Sequence, residues 1–158
     1  MKPNPKSQPS PRLPLDRLLA ADHQRLDRSF EALVARAQGG DPIQLRSEWQ
    51  TFELGLLDHL ELEEREILPG FAREAPADAR AILDEHTAIR TALFELGVNL
   101  DLHLLRADVV RSFCDRLRAH AEREEAALYR WAARHVPPSE WEKLGRRLGG
   151  ASGGGHAG

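Results

Sequence analysis

Apolar residues recur at i, i+3, i+4 and i+7 through four long stretches of the chain, the period of one helix face. The first stretch runs from about Pro14 to Ala37 and is ended by Gly39-Gly40. Asp41-Pro42 reads as an N-cap followed by proline at the first helical position, so a second helix starts there, and Pro69-Gly70 is expected to stop it. A third starts near Pro76 and fades around Gly97 to Asn99. A fourth begins between Leu104 and Asp108 and ends before Pro137-Pro138. Ser139-Glu140-Trp141-Glu142 fits a capping box, and a short fifth helix follows to about Leu148. Trp141, Leu144 and Leu148 give it an apolar side that packs on the bundle. No stretch alternates with the period of a strand. The predicted fold class is therefore all-α, an up-down-up-down four-helix bundle over residues 14–148 with a short C-terminal fifth helix. Residues 1–13 read as a disordered Pro-rich arm, and residues 149–158 as a flexible Gly-rich tail carrying His156.

The four stripes contain residues that do not belong in a core. They read Leu19, His23, Leu26, Phe30, Leu33; then Trp49, Phe52, Leu56, His59, Glu63, Ile67. The third reads Ile82, His86, Ile89, Leu93, Leu96, and the fourth Val110, Phe113, Leu117, His120, Glu124, Trp131. Each has one histidine at a core position, and the second and fourth add a glutamate four residues later. Four residues turn a helix by about 400°, so His59/Glu63 and His120/Glu124 share a face. Glu64 and Glu125, five residues after the histidines, lie about 140° away and are expected to face solvent. Phase thus selects Glu124 over Glu125. Tyr129 is likewise out of phase with Glu124.

Depth agrees with phase. Counted from the end that carries the turns near residues 40 and 103, all six lie about 16 to 23 residues away, at about 1.5 Å per residue. The chain is also internally duplicated. His23 precedes His59-x-x-x-Glu63 by 36 residues, and His86 precedes His120-x-x-x-Glu124 by 34.

Composition narrows the chemistry. The chain has 158 residues, a net charge of -3, 41% hydrophobic and 30% charged residues, which is a globular balance and no basic footprint for nucleic acid. One cysteine, Cys114, excludes an intrachain disulfide and a Cys-only zinc site, and it reads as core packing. No signal-like or membrane-spanning apolar run is visible, so a cytoplasmic protein is expected. His103, His135 and His156 fall in a connection, a helix end and the tail, and are expected to be solvated.

One histidine in an apolar stripe is ordinarily a hydrogen-bonded core residue. Four imidazoles and two carboxylates in one layer are another matter, because each unpaired group costs several kcal/mol to bury. A cation offsets that cost. Six ligands exceed the four of a structural zinc site and suit two ions, each with two histidines, bridged by Glu63 and Glu124 and by a solvent-derived oxo or hydroxo group. Mixed imidazole and carboxylate ligation favours iron over manganese or zinc.

The order His, His-x-x-x-Glu, His, His-x-x-x-Glu resembles the hemerythrin-like HHE cation-binding domain. It is carried by His23, His59-Leu60-Glu61-Leu62-Glu63, Asp84-Glu85-His86 and His120-Ala121-Glu122-Arg123-Glu124, over about residues 14–148. The resemblance implies a non-haem di-iron centre ligated by His23, His59, Glu63, His86, His120 and Glu124. It implies dioxygen, nitric oxide or peroxide chemistry, or iron handling. Oxygen-carrying members have a second histidine four residues after the third-helix one; Arg90 stands there instead. The chain looks more like the bacterial branch with four His and two Glu ligands, which includes the repair-of-iron-centres proteins. Asp27, four after His23, corresponds to Arg90; either the two are partners just behind the ligands, or both point outward. The implied function is a di-iron protein that binds or senses dioxygen or nitric oxide or responds to oxidative or nitrosative stress. The alternatives are an enzyme acting on peroxide or nitric oxide, an iron donor for iron–sulfur cluster repair, or a scaffold around one structural zinc. The partner expected is a small molecule, with a protein partner or second copy for sensing, and neither nucleic acid nor membrane.

Overall fold

The computed structural model describes residues 15–37, 39 and 41–150; the Pro-rich arm and all of the tail beyond Gly150 lie outside the described residues. Every element among the described residues is helical. They are α1 (Leu15–Ala37), α2 (Pro42–Leu62), a π-helical turn (Glu63–Ile67), α3 (Leu68–Glu74), α4 (Pro76–Asp101), α5 (Ala107–Ala126), α6 (Leu128–His135) and α7 (Pro138–Gly150). No helix among them is long and apolar enough to cross a membrane. Asp41 caps α2 as its sequence predicts, accepting from the Ile43 N–H at 3.0 Å with Pro42 in the first turn.

Several helix boundaries differ from those expected. Pro69-Gly70 does not stop the second helix, which continues through the π turn and α3 to Glu74. In the π turn the Leu68 N–H donates to the Glu63 carbonyl, five residues back. Pro69 then falls in the first turn of α3, directly after the π turn, where its missing N–H withholds one backbone donor from the continuing helix. Gly70 serves packing instead: a Cβ there would stand 2.5 Å from the Trp131 ring. The fourth helix is not continuous either, since Ala127 (φ -120°, ψ -68°) separates α5 from α6. The fifth begins at Pro138, so Ser139 lies inside its first turn rather than at the cap. Helix α7 extends to Gly150.

Helix α1 packs on α2, α5 and α6; α4 packs on α3, α5 and α2. Two apolar clusters result. One holds Leu26, Phe30, Trp49, Phe52, Leu93 and Phe113, with Cys114 packed at its edge. The other holds Leu15, Leu19, Leu62, Leu68, Phe71 and Leu128, against which α7 lays the buried Leu144. Burying a leucine contributes about 1.5–3 kcal/mol, enough to dock a short helix. The polar layer lies between these clusters, so apolar packing bounds it on both sides.

Candidate metal centre

Helices α1 and α4 each supply one histidine, His23 and His86. The α2 segment and α5 each supply a histidine and a glutamate one turn on, His59/Glu63 and His120/Glu124. Glu63, His86 and Glu124 are fully buried, His59 and His120 nearly so, and the His23 side chain is 10% exposed. The six form two groups. His23, His59, Glu63 and Glu124 offer ligand atoms within 4.8 Å of one another, and so do Glu63, His86, His120 and Glu124.

Both carboxylates belong to both groups, and each divides its oxygens between them. Glu63 Oε1 lies 3.3 Å from His59 Nε2, while its Oε2 lies 3.5 Å from His86 Nε2. Glu124 Oε2 lies 3.1 Å from His23 Nε2, while its Oε1 lies 3.0 Å from the Nε2 atoms of His86 and His120. That is the disposition a bridging carboxylate needs. Glu63 opens the π turn, an irregularity that recurs at functional sites.

Each imidazole is also held from behind. The His59 Nδ1–H donates to Asp22 at 2.8 Å and that of His120 to Glu85 at 2.8 Å. His86 Nδ1 donates to Glu64 at 2.9 Å and His23 Nδ1 to Glu125 at 3.2 Å. A carboxylate can only accept, so Nδ1 carries the proton and every Nε2 faces the centre. Three of these carboxylates are backed by arginine: Asp22 by Arg25, Glu64 by Arg90 and Glu85 by Arg123.

Three expectations change here. Glu64 does not face solvent; its side chain is 26% exposed and turned onto His86. Glu125 is half exposed yet reaches His23. Asp27 does not stand behind a ligand, and it does not meet Arg90: it pairs with Arg118 at 3.0 Å near the surface. Arg90 acts through Glu64, which it clasps at 2.6 and 3.1 Å. The missed signal lay in the sequence as acids adjacent to ligands: Asp22 and Glu85 precede His23 and His86, and Glu64 and Glu125 follow Glu63 and Glu124.

Tyr129 is the other residue that phase misplaced. The break at Ala127 turns it inward, and its buried hydroxyl donates to Glu63 Oε1 at 2.5 Å. Burial and the charges of Glu63 and Glu124 hold its pKa well above that of an ordinary phenol. The imidazoles respond the other way. Burial pulls His86 down, but its bonds to Glu124 and Glu63 more than restore it, to about 9. His59 and His120 are raised by the same contest, His59 chiefly through the charge of Glu63 and His120 through its bond to Glu124. Burial pushes Glu124 up, yet its bonds to His120, His23 and His86 hold it well below the carboxylate range. Protons on His59, His86 and His120 are thereby favoured, and they offset negative charge in the layer when no cation does.

That balance is incomplete. Glu63 Oε2 and His120 Nε2, both buried in the second group, have only poorly directed contacts, at 3.5 Å to His86 Nε2 and 3.0 Å to a Glu124 oxygen, and no well-formed hydrogen bond among the described residues. An unmet buried group costs about 1–3 kcal/mol. A cation on these atoms removes the cost, and the donor set of imidazole nitrogen and carboxylate oxygen suits iron, manganese or zinc. No protein-family model, curated protein or solved structure matches the chain.

Proposed function

We propose that the chain is a hemerythrin-like protein whose four long helical segments form an antiparallel bundle around two iron ions, and that it binds or senses dioxygen or nitric oxide. The observation that carries this reading is the sharing of Glu63 and Glu124 between two groups of four donors. When bound, the iron pair supplies the electrons and open coordination positions such a ligand requires. The protein's part is orientation: Asp22, Glu64, Glu85 and Glu125 fix the four rings and raise their basicity through Nδ1.

The size of the ligand follows from a cavity of about 50 Å³ beside His23, His59 and His120, walled by Leu26, Leu56 and Leu60. A water needs about 10–15 Å³ of such space, so this cavity has room for a molecule of a few atoms. Such a protein serves a response to oxidative or nitrosative stress. The test is anaerobic loading with iron(II), metal quantification, then optical spectra under oxygen, nitric oxide and peroxide. The expected result is about two irons per chain and a spectrum that changes on adding a diatomic ligand. A chain that takes one zinc and refuses iron overturns it. Sustained turnover of peroxide or nitric oxide replaces the binding reading with an enzymatic one.

A further inference from the structure

The two donor groups are not equivalent. In the first, the Tyr129 hydroxyl reaches one atom of every member: Glu63 Oε1 at 2.5 Å, His23 Nε2 at 2.8 Å, His59 Nε2 at 3.3 Å and Glu124 Oε2 at 3.4 Å. In the second no such oxygen stands among the donors: Glu63 Oε2 lies 3.5 Å from His86 Nε2 and His120 Nε2 lies 3.0 Å from Glu124 Oε1, and neither atom has a well-directed hydrogen bond among the described residues. The internal duplication sets His120, Glu124 and Glu125 61 residues after His59, Glu63 and Glu64; the same offset carries Tyr129 back to Leu68, a buried side chain with no donor atom.

An oxygen that touches four convergent ligand atoms occupies the space they enclose. A cation that takes those atoms, at about 2.0–2.2 Å from each, must either bind this oxygen or displace it. Displacement is obstructed. The ring is 1% exposed, belongs to the apolar cluster of Leu15, Leu19, Leu62 and Leu128, and stacks on His23 with centroids 5.1 Å apart. A hydroxyl pushed into that cluster loses every partner it has.

We propose that the Tyr129 phenolic oxygen is a fifth protein ligand to the ion held by His23, His59, Glu63 and Glu124, which makes the two ions chemically unequal. This rests on the two-ion reading above. Tyr129 binds as phenolate, its proton passing to the buffer, and brings one more negative charge to the first ion. The second ion keeps four protein ligands and with them the more open coordination.

The chain has a single tyrosine, so a tyrosinate signal can have no other source. The experiment loads the full chain with iron(II), oxidises it with ferricyanide, counts the iron, and records visible absorption and resonance Raman spectra. The expected result is a phenolate-to-iron(III) charge-transfer band whose excitation enhances tyrosinate ring modes. Growth on ring-deuterated tyrosine shifts those modes, and Tyr129→Phe abolishes the band with at least one iron retained. Full iron loading without tyrosinate modes in the unaltered chain overturns the ligand assignment and leaves the two-ion reading intact. An unaltered chain that takes up no iron overturns both. Because the deciding spectrum comes from the unaltered chain, a poorly folding variant does not weaken the test.

Discussion

Residues 15–74 and residues 76–135 place the same groups at the same steps. His23 matches His86, and the acid before each, Asp22 and Glu85, holds the other histidine of its own half, His59 and His120. The acid after each glutamate, Glu64 and Glu125, reaches across to the lone histidine of the opposite half. Even the helix irregularity repeats, a π turn after Glu63 and a break at Ala127 after Glu124. Packing alone does not need this. Apolar side chains would fill the layer at lower cost, whereas four oriented rings are what ligation requires. The pairing fails at Leu68 and Tyr129, and there the centre loses its symmetry.

The largest effect should come from the two residues the halves share. Glu63→Ala and Glu124→Ala each remove a donor from both groups, so both should lose both ions, while His86→Ala should lose only one. Metal quantification after anaerobic loading separates these outcomes. In the metal-free chain either glutamate variant removes one of the two central counter-charges from buried imidazoles, and breaking a buried pair costs about 3–5 kcal/mol. Full iron occupancy in either variant would sink the idea of a shared bridge.

The carboxylates behind the rings come next. Asp22→Asn and Glu85→Gln should each weaken metal binding about 10–100-fold, the usual cost of removing such a partner. Asp22 is 5% exposed and the Glu85 side chain 29%, so the Asp22 variant should stand at the upper end. Competition titrations with a chelator measure both. Equal affinity in Asp22→Asn and the unaltered chain would mean that the rings need no help to face the ions.

The six convergent residues were legible because helical phase and depth are arithmetic on sequence positions. His59, Glu63, His120 and Glu124 needed only a regular helix up to the glutamate, and α2 and α5 are regular up to that point. Tyr129 and Glu64 were misplaced for the same reason that those were found. Both lie past the glutamate, where the π turn and the Ala127 break shift the phase, and nothing in Glu64-Arg65-Glu66 or Glu125-Ala126-Ala127 signals an irregular turn. Pro69-Gly70 pointed to an end because the same residues terminate helices elsewhere; only the Trp131 ring against Gly70 explains why glycine stands mid-helix. Asp27 and Arg90 fell to another cause. A salt-bridge partner is chosen by whichever opposite charge lies nearest in space, and Arg118 and Glu64 were nearer.

Protons and cations compete for the same layer, which gives a pH test of the comparison between metal-free and loaded chains. In the metal-free chain the pKa of His86 rises from 6.5 to about 9, so its protonated form is favoured in the folded state. That contribution is complete below pH 6.5 and disappears as pH climbs through about 9. The melting temperature of chelator-treated protein should fall across this window, and that of the iron-loaded protein should stay level, since ions have replaced the protons. A metal-free melting temperature that rises over the same range would contradict it.

The smallest effect concerns a difference at the surface. Asp27 and Arg118 flank the small cavity beside His23 and His59, with side chains 39% and 47% exposed. Arg118 also reaches Glu31 at 2.7 Å. Their counterparts in the repeat are Arg90, clasped to Glu64, and Leu57, so only one flank of the molecule carries this ion pair. Solvent screens an exposed pair, and Arg118→Ala should therefore leave the melting temperature almost unchanged. Access is another matter, because the exposed Arg118 lines the same cavity as Leu26, Leu56 and Leu60. The variant should bind nitric oxide faster in stopped-flow measurements at unchanged iron content, and Arg90→Ala, acting on His86 through Glu64, should alter the spectrum rather than the rate. Identical nitric oxide association rates in Arg118→Ala and the unaltered chain would place the entrance elsewhere.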